Sequence, residues 1–266
     1  MSRAIAIDSG WIVCVLLLSL RLAAMFLATP LLAAASVPVS VRVVFVVGLA
    51  AALSLGMPEL WFASRPALAN PATLMTAACT ELALGATLSL GILLCFAAFS
   101  LAGRLLDVQM GFGLGQVIDP ASKAQLPVVT SAFAQVSVLV FFLVDGHHAL
   151  LRGLAYSLER FPLGRGWAAE TAVAPVLKQV AGLFSLGFAL AAPVAFSLLL
   201  LEMGLGVITR NLPQINMLAL GIPAKVSVGL LALSFWFGGI GNVMARVYGE
   251  LYRNWGAIFA AAEVVR

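Results

Sequence analysis

The chain has 266 residues, of which 62% are hydrophobic and only 10% are charged, whereas a soluble domain carries roughly 25% charged residues. The net charge of +4 is small. No basic cluster with interleaved aromatic residues is present, which excludes a nucleic-acid-binding surface. The composition therefore predicts an all-α membrane protein, in which the three cysteines serve as small apolar residues.

Six apolar blocks predict about six long helices, at 11–36, 39–57, 72–102, 126–151, 173–201 and 214–245. A bilayer crossing needs about 20 apolar helical residues, and backbone groups in lipid must find their hydrogen-bond partners within the segment. Pro38 separates the first two blocks and predicts a tight hairpin. No segment is polar enough for a soluble domain, so residues 1–266 are predicted to form one helical membrane domain.

The positive residues predict which side of the membrane holds the termini. Six crossings place both termini on one side, and cytoplasmic loops carry the excess of lysine and arginine. The side with the termini holds nine lysine and arginine residues: Arg3, Arg65, Arg152, Arg160, Arg165, Lys178, Arg246, Arg253 and Arg266. The opposite side holds five: Arg42, Arg104, Lys123, Arg210 and Lys225. Arg21 lies inside the first block and is counted on neither side. The C-terminus is therefore predicted to be cytoplasmic.

The stretch from Gly103 to Pro127 is predicted to be a pliable loop between two long helices. Glycine occupies alternate positions from Gly111 to Gly115, and each glycine costs a helix about 1 kcal/mol relative to alanine. Asp119-Pro120 favours a turn. Either the loop is a solvated connection, or it lines or closes a passage between helices. A phosphate cradle is disfavoured, because no strand precedes the glycines.

Several polar residues lie in or beside the apolar blocks and are predicted to face the bundle interior or other subunits, because charges in lipid are costly. They are Arg21, Asp145, His147, Glu202, Asn216 and Lys225. We expect partners for Arg21, Glu202 and Lys225 to come from other subunits. The spacing of the two histidines, and the lack of GxSxG, HExxH and Walker motifs, predict no catalytic residue, no metal site and no cofactor.

Three segments together resemble the FliR/SctT family of type III export-gate subunits, in the order in which that family has them. The first runs from Ala102-Gly103 through Gln109-Met110-Gly111 to Asp119-Pro120. The second is Phe141 to His147, followed by Ser157 and Phe161-Pro162-Leu163-Gly164. The third comprises Glu202 to Gly206, Leu212 to Asn216 and Gly221 to Lys225. The family usually has Asn-Gly-His where this chain has Asp145-Gly146-His147.

The resemblance implies a non-enzymatic subunit of the flagellar export gate in the bacterial inner membrane, at the flagellar basal body. It implies kinked helical hairpins, assembly with FliP- and FliQ-like subunits and contact with FlhA- and FlhB-like proteins, while secreted flagellar proteins pass through. The family's pore-plugging loop matches Gln109 through Gln125. Its candidate plug residues here are Gln109, Met110, Gly111, Phe112, Gly113, Leu114, Gly115, Asp119 and Pro120.

Three alternatives remain at this stage. One is an injectisome export-gate subunit. Another is a small-solute secondary transporter, since transporters often carry interrupted helices and charges at mid-membrane. The third is an intramembrane enzyme or proton relay built on Asp145 and His147.

Overall fold

The described part of the chain is built from helices. A computed structural model describes residues 9–27, 29, 37–57, 70–112, 127–164, 167, 169–212, 217–239 and 241–264. Within these residues the α-helices are α1 (Ser9–Leu27), α2 (Val39–Gly56), α3 (Pro71–Met110), α4 (Val128–Leu143), α5 (Gly146–Arg160), α6 (Val173–Asn211), α7 (Met217–Gly239) and α8 (Gly241–Val264). A short 3₁₀ turn, Ala169–Ala172, precedes α6.

The helices confirm the predicted all-α membrane fold. Helices α1, α2, α3, α6 and α7 are each long and apolar enough to cross a membrane, and α4 with α5 makes a sixth candidate if the two count as one broken span. Together with the composition, these helices make the chain an integral membrane protein.

Several sequence-based boundaries are wrong. The predicted block 173–201 continues as α6 to Asn211, and the predicted block 126–151 is interrupted between α4 and α5. The loop predicted to begin at Gly103 begins later, because α3 continues to Met110. The last predicted block ended at residue 245, but a separate helix, α8, runs from Gly241 to Val264. Its buried residues recur every three or four positions, and its other face is polar. A search for uninterrupted apolar runs passes over such an amphipathic helix.

The described residues form two compact units. The first comprises the described residues within 1–93, 147–179 and 251–266. Within it, α1 and α2 pack as an antiparallel pair. The tight turn predicted at Pro38 stays a prediction, because α1 ends at Leu27 and residues 30–36 lie outside the described residues. The Trp11 indole N–H donates to Ser54 Oγ at 3.0 Å, and Phe26 meets Phe45 edge-to-face. The start of α1 therefore lies beside the end of α2, as an antiparallel pair requires.

The second unit comprises the described residues within 94–146 and 180–250. Its centre is an aromatic cluster of Phe96, Phe99, Phe141 and Tyr248, whose ring centroids lie 5.5–6.0 Å apart. The Tyr248 hydroxyl donates to the Ser137 carbonyl at 2.6 Å, so the one polar atom of this cluster is satisfied. The cluster joins α3, α4 and α8.

Candidate functional site

A fully buried ion pair lies within the first unit. Arg21 of α1 and Glu81 of α3 are both 0% exposed, and the Arg21 Nε lies 2.5 Å from Glu81 Oε2. The Arg21 guanidinium also donates to Ser157 Oγ at 3.1 Å and to the Phe161 carbonyl at 2.9 Å. Glu81 Oε1 accepts from the Gly164 backbone N–H at 3.1 Å. A buried charge pair is tolerated only with such additional hydrogen bonds.

Two glycines allow this arrangement. A Cβ on Gly85, one helical turn after Glu81, would collide with the Arg21 backbone carbonyl oxygen, so only glycine lets α3 come this close to α1. Gly164 has a φ of 77°, a conformation that glycine adopts without steric cost. This turn directs the Gly164 N–H at the Glu81 carboxylate.

The prediction that Arg21 obtains its partners from other subunits is wrong, since its partners belong to the same chain. Glu81 was not predicted as a site residue, because the prediction relied on charge-free runs and Glu81 lies just before one of them, the uncharged stretch 82–103. A lone carboxylate inside an apolar helix was the available signal. Ser157 and the turn at 161–164, which carried part of the family resemblance, form the remaining partners of the pair.

A second buried carboxylate connects α3 to the start of α4. Asp107 is 3% exposed. Its Oδ1 accepts from the Val129 N–H at 2.9 Å, and its Oδ2 accepts from the Thr130 N–H at 2.9 Å and the Thr130 hydroxyl at 2.6 Å. Pro127, at the N-cap of α4, makes no side-chain capping hydrogen bond. The first turn of α4 is thus capped by a side chain from another helix.

The candidate plug residues are only partly within the described chain. Gln109 and Met110 complete α3, and Gly111, with a φ of 91°, and Phe112 form the turn that follows. Met110 is fully buried. Gly113, Leu114, Gly115, Asp119 and Pro120 lie outside the described residues. Gln109 and Met110 were predicted to be loop residues, and that expectation is corrected by their helical conformation.

Glu202 of α6 and Lys225 of α7 pair with each other. Lys225 Nζ lies 2.5 Å from Glu202 Oε1, and the two side chains are 27% and 41% exposed, respectively. The expectation that these charges need partners from other subunits is therefore also wrong. Asn216, the remaining polar candidate of this region, lies outside the described residues.

Asp145 and His147 occupy the turn that ends α4 and begins α5. Asp145 has a φ of 55°, and a Cβ on the next residue, Gly146, would lie 2.5 Å from the Phe141 ring. One potential ligand atom each of Asp145, His147 and His148 lies within 4.8 Å of the others. The local turn thus brings these groups close together. Asp145 and His148 are exposed, as acidic and imidazole groups at helix ends often are.

Comparison with known proteins gives these clusters a context. The family model described as bacterial export proteins, family 1, matches residues 12–251. The chain belongs to this family. A Bacillus subtilis relative, flagellar biosynthetic protein FliR, is 30% identical over 221 residues, which cover 82% of this chain and 83% of the relative. The Escherichia coli protein of the same name is 27% identical, over 88% and 87% of the two chains.

A relative with a different name is also similar to this chain. Yop proteins translocation protein T of Yersinia pestis is 27% identical over 163 residues, covering 60% of this chain and 62% of that protein. The family match at residues 12–251 spans both buried carboxylates and the Glu202–Lys225 pair. Each of these polar clusters therefore lies inside the region that defines the family.

Proposed function

We propose that the chain is a subunit of the flagellar type III protein export gate, where it helps form and close the channel through which flagellar proteins leave the cytoplasm. The observation that carries this proposal is the family match over residues 12–251. In addition, a flagellar relative aligns with this chain over more than four-fifths of the length of both proteins. The apolar helices support a position in the membrane. Proteins named for flagellar biosynthesis align with more than two-thirds of the length of this chain.

The second candidate is an injectisome export-gate subunit, which the Yersinia relative supports. The flagellar relatives cover 82–88% of this chain, against 60% for the Yersinia protein, and this favours the flagellar assignment. Inactivating the gene distinguishes the candidates. We expect loss of motility and of flagellar protein export, with solute uptake unchanged. Loss of effector secretion with intact motility would favour the injectisome.

We also propose that residues 1–266 form one export-gate domain without enzymatic activity, placed in the inner membrane at the flagellar basal body with its C-terminus in the cytoplasm. Its expected partners are FliP- and FliQ-like subunits, together with FlhA- and FlhB-like proteins. Large apolar side chains remain exposed along α6 and α7, including Phe196, Met203 and Phe235. Lipid or partner helices would cover them.

Native mass spectrometry tests this assembly. The gently solubilised chain, co-expressed with its genomic neighbours, should be recovered in a complex with FliP- and FliQ-like subunits. A stable monomer that binds none of them would contradict the proposal. The chain expressed alone under the same conditions is the control.

Within the gate, the loop between α3 and α4 is proposed to close the channel. The candidate residues Gly111 through Pro120 provide closely spaced glycines and an Asp-Pro pair, which suit a compact and bendable segment. Deleting ten residues, 111–120, should leave assembly intact and let small ions leak through the closed complex. Unchanged conductance in an assembled deletion complex would refute this role.

A further inference from the structure

Two polar side chains are buried beside the same glycine of α3, within the first unit. Gln179 of α6 is 7% exposed and Trp255 of α8 is 3% exposed. A Cβ on Gly91 would lie 3.0 Å from Trp255 Nε1 and 3.5 Å from Gln179 Nε2. Gln179 Nε2 donates to the Gly91 carbonyl at 2.9 Å, and this bond holds the amide against α3. The indole and the amide therefore meet next to one position of α3.

One hydrogen-bonding atom of each side chain has no protein partner among the described residues. These atoms are Trp255 Nε1 and Gln179 Oε1, and both are buried. The indole N–H can only donate and the amide oxygen can only accept, so the two atoms complement each other. Buried polar atoms in proteins are nearly always satisfied, by protein groups or by ordered water. The pair therefore suits a ligand that accepts from the indole and donates to the amide.

Gly91 determines what size of ligand fits here. A Cβ at this position would lie 2.9 Å from Leu251 Cδ1, in addition to its short distance from the indole nitrogen. A water oxygen can approach an N–H nitrogen to about 2.7–3.2 Å because the two form a hydrogen bond, whereas a methyl group gains no bond at that distance. Only a very small polar ligand meets both conditions.

We propose that Gly91, Gln179 and Trp255 form a binding site for a single water molecule, which bridges the Trp255 indole N–H to Gln179 Oε1. These two groups satisfy the lower limit of about two to four polar partners that a buried water needs. Gln179 also holds the Gly91 carbonyl through its Nε2. The bridge therefore links α3, α6 and α8, and it does so inside one chain, independently of the proposed export role.

NMR contacts between water and the tryptophan indoles test this site. The full-length chain is labelled with ¹⁵N-tryptophan and solubilised in detergent. Rotating-frame Overhauser spectra are then recorded, in which the sign of a cross peak separates a dipolar contact with water from proton exchange. The Trp255 indole N–H should show a dipolar cross peak with long-lived water. Trp255→Phe assigns the signal. If that variant does not fold, phenylalanine variants of the other four tryptophans assign it by elimination.

Two other indoles provide internal controls in the same spectrum. The Trp11 N–H donates to Ser54 Oγ at 3.0 Å, and the Trp236 N–H donates to the Leu190 carbonyl at 3.0 Å. Because protein oxygens already accept from these two donors, neither should show a cross peak with long-lived water.

Two variants remove the site from different sides. Gln179→Leu removes the acceptor, and Gly91→Ala places a methyl group beside the indole nitrogen. Each should abolish the Trp255 cross peak. Lys178→Gln is the matched control, because it changes the exposed neighbour of Gln179 on the same helix, and it should retain the cross peak.

Two results would overturn the proposal. One is a folded wild-type protein in which the assigned Trp255 N–H shows no contact with long-lived water. The other is a cross peak that persists in folded Gln179→Leu or Gly91→Ala, because other groups would then hold the water. If only one variant folds, that variant decides. If neither folds, the wild-type cross peak, compared with the Trp11 and Trp236 controls, decides.

Discussion

Removing the Glu81 carboxylate alone should destabilise the protein more than removing the whole ion pair. Glu81→Ala leaves the Arg21 guanidinium fully buried without its counter-ion, and breaking a buried pair from one side costs about 3–5 kcal/mol. Replacing both residues by methionine removes both charges, and such replacements are often neutral or stabilising by about 1–4 kcal/mol. The Gly164 N–H then loses its acceptor, which costs about 1–3 kcal/mol. The double variant should therefore lie close to wild type.

Thermal unfolding of the detergent-solubilised protein, followed by tryptophan fluorescence, measures the difference. Since about 1 kcal/mol shifts Tm by about 2–4 °C for a chain of this size, Glu81→Ala should lower Tm by about 6–20 °C. Thr80→Ala is the control on the same helix, because the Thr80 hydroxyl donates only to the local Ala77 carbonyl. A Tm of Glu81→Ala equal to that of Thr80→Ala would refute the reasoning. A double variant whose Tm is as low as that of Glu81→Ala would also refute it.

Three further outcomes are expected. Gly85→Val should lower Tm strongly because its side chain would collide with the backbone of α1, whereas Gly182→Val, with no atom within 4 Å of its Cβ, should have little effect on the isolated chain. Trp255→Ala should lower the free energy of unfolding by about 3–5 kcal/mol, as large-to-small core substitutions do, because the indole is 3% exposed and packs against Gly153. An unchanged Tm would contradict this packing. A reporter active only in the cytoplasm should be active when fused after Arg266, and activity of a periplasm-specific reporter there would place the C-terminus on the opposite side.

Helix boundaries show where local sequence preferences were insufficient. The alternate glycines from Gly111 to Gly115 each cost a helix about 1 kcal/mol relative to alanine, and they led to the prediction of a loop that begins at Gly103. In the structure Gly103 permits close contact with Thr130, so packing outweighs the local cost. The amphipathic α8 was missed for a different reason. Its apolar stripe becomes visible only when periodicity, rather than continuous hydrophobicity, is measured.

Sequence alone determined the membrane class, the approximate number of long helices and the family, because these depend on composition, on the length of apolar runs and on motif order. The tertiary structure decided which charges pair. Arg21 and Glu81 are 60 positions apart, and Asp107 reaches residues 22 and 23 positions away. Such pairings depend on how helices pack against one another. The cost of burying a charge shows only that a partner is needed, and the fold places that partner within the same chain.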